Sequence, residues 1–363
     1  MPKTISYLFL LVSICLISSC KSTPDKISSS EESSTDKMYL PKAGGEANAI
    51  LVVMDTTDWN GALGQSIRDA LSAYVPGLPQ NEPYFKVRNI NPLKFNSIIQ
   101  RGTNIIMVHT LDGRGRQSQQ MEKYYSEESL EKIRKDSSLY MLPQKDVYAK
   151  GQDIVHLFGQ TKMQLAAHIK TNEKLLRNYF LKVENDRIAG RLFKVREKQI
   201  EKRLAEEYDF TMNIPYGYEV AKALPDFVWI RLLDPAFERD IFVYFQPYTG
   251  NAPFDDVLGK REEISSMFMR DIEKPDLYMT LQDTLSQVKE VNFKGKYAKE
   301  ARGLWKFSDF SAGGPFVSYM FVDEGQKRLY YLEGYVYNPG DDKRVPMQEM
   351  EMILQTFTSG LSL

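Results

Sequence analysis

Apolar residues along this chain follow two patterns, one typical of buried strands and one of helices. Three runs are almost continuously apolar, which is typical of strands covered on both faces; they are 49–55 (AILVVMD), 104–111 (NIIMVHTL) and 153–159 (DIVHLFG). Between them the pattern predicts a helix at 61–74, a strand at 84–90 and a short helix around 95–100. The polar stretch before residue 153 is predicted to be helical. Strands alternating with helices predict crossover connections and a small three-layer, mostly parallel sheet.

Residues 161–208 carry a continuous helical pattern. Apolar side chains recur there at near-helical spacing with charged side chains on the other side; they are Leu175, Tyr179, Ile188, Leu192, Val195, Ile200 and Leu204. Two helical pieces that meet near Thr171 and Asn172 explain this segment.

From residue 210 the apolar positions become aromatic and partly alternating, which is typical of strands. The predicted strands are FTMNIP, DFVWIRLLD, DIFVYFQPY, the region 291–307, PFVSYMFVD and RLYYLEGYVY. Helices are predicted within 255–271 and at 346–357. The fold class expected is therefore an α/β domain, long connecting helices and an α+β domain with a mostly antiparallel sheet packed by helices.

The apolar run at 5–17 (ISYLFLLVSICLI) predicts a signal peptide rather than a spanning helix, which needs roughly 20 residues. Lys3 precedes the run, and Ile17-Ser18-Ser19-Cys20 follows it as a lipobox. We expect residues 1–19 to be removed and Cys20 to be lipidated. The alternative is an ordinary secretory signal followed by an incidental cysteine.

Composition divides the rest of the chain. Residues 20–45 are rich in Ser, Thr, Lys and Glu and bury too little to fold, so they are expected to form the lipidated N-terminus and a flexible tether. The α/β domain is then expected at 46–160, the connecting helices at 161–208 and the α+β domain at 209–363.

Charge and cysteine content exclude several classes of function. Without Lys3 the 47 basic residues become 46, against 48 acidic ones, so no nucleic-acid partner is expected. The basic stretch 187–203 is interpreted as a solvated helix face. Of two cysteines, Cys15 leaves with the signal and Cys20 is taken by lipid. No disulfide, metal site or cofactor is therefore predicted, although a carboxylate calcium site stays open.

Several phrases in combination resemble a known family. They are VVMDTTDWNGALG, PGLPQNEPYF, IPYGYE, EARGLW, GGPFVSY and GYVYNPGDDKR, spread over about 48–358. Together they are similar to an uncharacterised lipoprotein family of the Bacteroidota, which implies an envelope lipoprotein with no assigned activity. The order of elements from residue 210 is also similar to PsbP/Mog1-like α-β-α sandwiches, a likeness of fold alone.

The best candidate site lies at the carboxyl edge of the parallel sheet, where open α/β folds bind ligands. The first strand delivers Asp55, Thr57 and Trp59 there, and the third delivers His109 and Asp112. A carboxylate that orients an imidazole prepares a general base or a metal ligand. The alternative is that Asp55 or Thr57 caps the next helix and that His109 is a hydrogen-bonded residue at a strand end.

A second candidate surface in the C-terminal half mixes charge with aromatic residues: Arg231, Asp234, Glu300, Arg302 and Trp305. The alternative interpretation is a structural ion pair of an arginine with Glu300 or Asp234, since a buried arginine needs a carboxylate.

These observations predict a membrane-anchored lipoprotein that acts as a non-catalytic binding or assembly module of the bacterial envelope. Its location is expected to be the outer membrane, on the periplasmic or the surface face, with an envelope protein as a possible partner. The alternatives are an envelope hydrolase or transferase centred on Asp55 and His109, and a carrier of lipid or another small molecule. The ligand is not identified by the sequence.

Overall fold

The computed structural model describes residues 39–248, 250, 256–270 and 273–360, and of residues 283 and 284 the backbone alone. The predicted signal peptide, Cys20 and most of the predicted tether lie outside the described residues. Within them, no helix is long and apolar enough to cross a membrane.

The first half of the described chain alternates strands with helices. Its elements are β1 (Ala49–Val53), α1 (Thr56–Trp59), α2 (Ala62–Leu71), β2 (Lys86–Ile90), β3 (Asn104–Thr110), α3 (Arg116–Glu122), α4 (Glu127–Lys135), β4 (Met141–Lys145) and β5 (Asp153–Gly159). Two short 3-10 helices, Pro92–Lys94 and Ile99–Arg101, stand where one short helix is predicted.

The strands of this half form one sheet in the order β2-β1-β3-β5-β4, which we call the first sheet. Strands β2, β1, β3 and β5 pair in parallel, as their apolar runs predict, whereas β4 pairs antiparallel to β5. The prediction of helix throughout the polar stretch before β5 is therefore wrong at β4. Its sequence MLPQK carries a proline and polar residues, which sheets tolerate at an edge.

Three helices follow the first sheet: α5 (Lys162–Thr171), α6 (Glu173–Leu192) and α7 (Lys198–Tyr208). The predicted break near Thr171 is confirmed, and a second break separates α6 from α7. Leu165 in α5 and Phe180 in α6 pack with α2 against one face of the first sheet, while α3 and α4 cover the other face. The first sheet and helices α1 to α6 together form the N-terminal domain.

The second half is built mainly of strands. Its elements are β6 (Phe210–Thr211), β7 (Glu219–Leu224), β8 (Phe227–Leu233), β9 (Glu238–Pro247), α8 (Val257–Phe268), β10 (Met279–Phe293), β11 (Lys296–Phe307), β12 (Gly313–Asp323), β13 (Arg328–Tyr337), α9 (Arg344–Leu354) and β14 (Thr358–Ser359). Strand β7 and residues 279–290 of β10 are not among the predicted strands, and FTMNIP is a strand only at its first two residues.

Within the described residues, seven of these strands form an antiparallel sheet in the order β10-β11-β12-β13-β9-β8-β7, the second sheet. Helices α7 and α9 pack on one face, where Leu204 and Met350 join its core. Helix α8 covers the other face, and its fully buried Arg261 donates to Glu333 of β13 at 2.7 Å. With α7 these elements form the C-terminal domain, and the predicted fold class is confirmed.

Helix α9 is the element through which the two domains meet. Its first residues have no side-chain cap of their own. Instead, the backbone N–H groups of Lys343 and Arg344 each donate to the carboxylate of Glu82, at 2.8 Å, from the loop between α2 and β2. A negative charge at a helix N-terminus satisfies free donors and the helix dipole together. A buried carboxylate of the N-terminal domain thus caps a helix of the C-terminal domain.

We predict that Glu82→Ala lowers the free energy of unfolding by about 2 kcal/mol, because two buried N–H groups lose their acceptor. Glu82→Gln keeps one acceptor oxygen and should lose less. Thermal unfolding and limited proteolysis measure the effect. Ser126→Ala is the control, since Ser126 caps α4 inside the N-terminal domain. Equal protease sensitivity at the domain junction in both variants would contradict a role for Glu82 in joining the domains.

Candidate functional site

The predicted site lies where the strand order of the first sheet reverses. From β1 the chain moves to β2 on one side and then to β3 on the other, and β1 pairs with both. Such a switch point leaves a crevice at the carboxyl ends of β1 and β3, where open α/β sheets bind ligands. Asp55 follows β1, and His109 is the penultimate residue of β3. The structure therefore brings the two predicted residues to one crevice.

Asp55 acts there as a helix cap. Its Oδ1 accepts from the Thr57 N–H at 2.8 Å, at the start of α1, and its Oδ2 accepts from the Ser118 hydroxyl at 3.4 Å. Neither oxygen is hydrogen-bonded to His109. The interpretation that Asp55 orients His109 is therefore wrong, and the capping alternative describes this geometry.

The other predicted residues of this edge have structural contacts. Thr57 is exposed, and the Trp59 ring lies under the Arg68 guanidinium at 4.6 Å. Asp112 accepts from the backbone N–H of Lys162 at 3.3 Å. The Lys162 side chain was not predicted to lie here, yet its Nζ is 2.6 Å from Asp58, whose hydrogen bond raises the pKa of Lys162.

His109 is the unusual member of the crevice. Its side chain is 3% exposed, and neither ring nitrogen has a hydrogen-bond partner. Burial lowers the pKa of His109 to about 4, although the charge of Asp112 acts in the opposite direction. Its ring lies 5.1 Å from that of Tyr125. The imidazole is consequently neutral at neutral pH and packs as an aromatic ring.

The enclosed part of the crevice is small. Its volume of about 10 Å³ is room for roughly one water molecule. Among the residues that the structure describes, no three His, Cys, Asp or Glu side chains group as metal ligands do. The geometry gives a hydrolase or transferase centred on Asp55 and His109 no support.

The five predicted residues of the C-terminal half do not form one surface. Trp305 is buried, and its Nε1 donates to the Val336 carbonyl at 3.3 Å. Asp234 accepts from the Ala236 N–H within its own turn. Arg231 is only partly buried and pairs with Glu219 across β7 and β8 at 3.0 Å. The alternative interpretation of an ion pair with Asp234 or Glu300 therefore does not apply to Arg231.

The predicted ion pair exists at Arg302. Its Nε is 2.6 Å from Glu300, and its Nη1 is 2.6 Å from Glu351 of α9. Burial raises the pKa of Glu300, but the charges of Arg302 and Lys289 outweigh it and hold the value below the ordinary one. Glu300 and Arg302 therefore stabilise the contact between the second sheet and α9.

A cleft of about 460 Å³ lies where the two domains meet, and we call it the interdomain cleft. Residues that line it include Gln80, Trp305, Lys306, Phe310, Tyr337 and Lys343. The loop that carries Gln80 approaches β11 closely, because a Cβ added to Gly77 (φ 78°) would lie 3.0 Å from the Arg302 Cβ. The volume of the interdomain cleft is in the range of small-ligand sites, which often lie between domains.

Phe310 lines the interdomain cleft in an unusual backbone conformation. It lies in the turn between β11 and β12 with φ of 62°, a left-handed backbone that costs a bulky residue about 1–2 kcal/mol. Its side chain is 74% exposed, and the Lys306 Nζ lies 4.1 Å from its ring centre. Strained residues of this kind cluster at ligand sites. Sequence spacing gives no signal for Phe310, since φ and exposure arise from the folded turn.

The two halves of the chain match two family models. Residues 43–193 match DUF8532, a domain of unknown function, and residues 197–356 match DUF4837, another domain of unknown function. The chain carries two domains of unknown function. Their boundary falls between α6 and α7, where the packing changes from the first sheet to the second. No curated protein matches the chain.

Among solved structures the chain is similar to a protein of Bacteroides thetaiotaomicron (10% identity, TM-score 0.25), over 42% of this chain and 46% of that one, which is less than half its length. It is similar to the Ran-binding protein Mog1p of Saccharomyces cerevisiae (8% identity, TM-score 0.28, 42% of this chain and 90% of that one). It is also similar to LpqN, involved in cell envelope biogenesis of Mycobacterium tuberculosis (13% identity, TM-score 0.27, 42% and 83%).

We predict that His109→Phe makes the protein less sensitive to acid. Because the folded pKa of about 4 lies below the ordinary 6.5, the unfolded chain binds more protons between these values. The contribution of the neutral, buried His109 to the free energy of unfolding is complete above pH 6.5 and is lost as the pH falls toward 4. Between pH 6.5 and pH 4, the free energy of unfolding of the wild type should fall by about 3 kcal/mol more than that of the variant.

Urea unfolding across the same pH range measures the difference. His168→Gln is the control, because His168 is only partly buried and its ring stacks on Tyr140. A pH dependence that is the same in wild type and His109→Phe would contradict the buried, neutral imidazole.

Proposed function

We propose that this chain is an envelope lipoprotein, anchored through Cys20, that binds a ligand in the interdomain cleft without transforming it. The sequence supports the anchor, since a charged residue, an apolar run, small residues and a cysteine occur there in order. The geometry around Phe310 supports the binding role. A tether would hold the cleft at a distance from the membrane.

The exposed ring of Phe310 is the observation that carries the proposal. An apolar ring that is largely solvated adds little to the core, and its backbone conformation costs stability. Lys306, against the ring, holds a positive charge at the same place. An aromatic face with a cation beside it is a recognition surface rather than a packing element.

The lining of the interdomain cleft favours a sugar ring as the ligand. The face of Phe310 offers a flat apolar surface to the C–H groups of a pyranose. The side-chain amides of Gln80 and Gln282 line the same cleft and both donate and accept hydrogen bonds, as hydroxyl groups require. The proposed ligand class is therefore a glycan of the envelope.

We predict that Phe310→Asn weakens glycan binding at least tenfold while the free energy of unfolding stays within about 1 kcal/mol of wild type. Asparagine adopts the left-handed conformation more readily than phenylalanine, so the turn is preserved. Calorimetric titration with soluble fragments of peptidoglycan and of outer-membrane polysaccharide measures binding, and urea unfolding measures stability.

Lys327→Asn is the matched control. Lys327 is also exposed with a left-handed φ of 52°, but it lies in the turn between β12 and β13 and does not line the interdomain cleft. Wild-type affinity in Phe310→Asn would contradict the role of Phe310. Failure of wild type to bind any of these glycans would exclude the glycan class.

We predict that Cys20→Ser releases the protein from the membrane. The serine hydroxyl cannot form the thioether to the diacylglyceryl group, so no acyl chain is attached. Cell fractionation and metabolic labelling with radioactive palmitate test this, with Cys15→Ser as the control within the predicted signal peptide. Labelling of Cys20→Ser at the wild-type level would contradict the proposed anchor.

A further inference from the structure

An apolar groove lies on the N-terminal domain, between α4 and the edge strand β4. Its volume is about 460 Å³, within the range of small-molecule sites, and it shares no lining residue with the interdomain cleft. Most of its surface is apolar and comes from Ile133, Leu139, Met141, Leu142, Pro143 and Phe158. Leu139 and Leu142 are 42% and 41% exposed. The fold thus leaves aliphatic side chains in water along a concave surface.

Two polar residues of the lining, Tyr125 and Gln144, are hydrogen-bonded to His156 behind them, and these bonds have a defined direction. His156 is buried, with a pKa lowered to about 4 by burial, so one ring nitrogen donates and the other accepts. Its Nε2 lies 3.0 Å from Gln144 Oε1 and therefore donates. Its Nδ1 then accepts from the Tyr125 hydroxyl at 3.4 Å. The amide NH₂ of Gln144 is left as a donor at the groove.

The charge of the lining complements an anion. Lys132 is its cation, and no aspartate or glutamate occurs among the lining residues described. The Lys132 ammonium contacts Glu128 at 2.8 Å one turn away, and both side chains are more than half exposed. Exposed i,i+4 ion pairs are weak, so an anionic ligand can replace Glu128.

The edge strand itself disfavours a peptide in the groove. The Phe158 N–H donates to the Tyr140 carbonyl, and β4 pairs in register with Met141 opposite Leu157. In an antiparallel pair, residues whose N–H and C=O groups point toward the partner strand alternate with residues whose groups point away from it. Because Tyr140 is bonded to β5, the backbone groups of Pro143, three residues later, point away from β5 toward the open edge. Proline has no N–H, and its place on the open edge removes a donor that an added strand would need.

We propose that this groove binds one aliphatic chain with an anionic head, the chain on Leu142 and Phe158 and the head near Lys132 and Gln144. Its two possible sources are a free fatty acid and the acyl chain of a phospholipid. This inference is independent of the glycan proposal, because the two sites are separate.

Titration calorimetry on the non-lipidated Cys20→Ser chain tests the inference with octanoate, decanoate and dodecanoate, each below its micelle concentration. We expect affinity to rise about fourfold per added methylene until the groove is filled. Dodecyltrimethylammonium should bind more weakly than dodecanoate. A monoacyl phospholipid that binds more tightly than dodecanoate would assign the source to phospholipid, and the reverse order would assign it to free fatty acid.

Two variants test separately how the groove binds the aliphatic part and the anionic head of the ligand. Leu142→Glu should abolish binding, whereas Leu93→Glu, at a comparably exposed leucine of the same domain outside the groove, should leave it unchanged. Lys132→Gln should weaken dodecanoate but not dodecanol. Affinity that is independent of chain length, or unchanged in Leu142→Glu, would overturn the inference.

Discussion

The capping of α9 by Glu82 is the contact on which the arrangement of the two domains depends. The first N–H groups of a helix need acceptors, and here the acceptor of the Lys343 N–H comes from a loop 261 residues earlier in the chain. Gln80 and Lys343, on either side of this contact, both line the interdomain cleft. The bonds of Glu82 thus hold the loop that carries Gln80 beside Lys343 in the lining of this cleft.

The rest of α9 extends this contact with polar groups. Gln348 accepts from Asn48 and donates to Asn185, while Glu349 pairs with Arg191 and Arg239. Buried charges are costly unless they are paired, so such a network adds less to stability than to the choice of one docking geometry. On its opposite side α9 packs Met350 against Gly334 so closely that an added Cβ would lie 2.9 Å away. The helix is thus joined to the N-terminal domain by hydrogen bonds and an ion pair, and to the second sheet by ion pairs and close packing.

The crevice at the switch point, the interdomain cleft and the groove beside β4 differ in how far the fold closes them. At the switch point the capping of α1 by Asp55 and the packing of His109 leave room for about one water. The interdomain cleft and the groove beside β4 stay open, and each leaves apolar side chains in solvent. Exposed apolar surface and a strained Phe310 reduce stability, and the two proposed binding roles would account for both features.

Local patterns in the sequence determined the strands and helices, because periodicity and apolar runs act between neighbours in the chain. They predicted β1, β3, β5 and the break near Thr171, but not β4, since a short edge strand needs no apolar run. Tertiary structure alone decided the partners: Arg231 meets Glu219 because β7 pairs with β8, and Lys306 meets the Phe310 ring because the turn between β11 and β12 brings them together. Strand order and domain docking join residues far apart in the chain, and no local pattern records such a pairing.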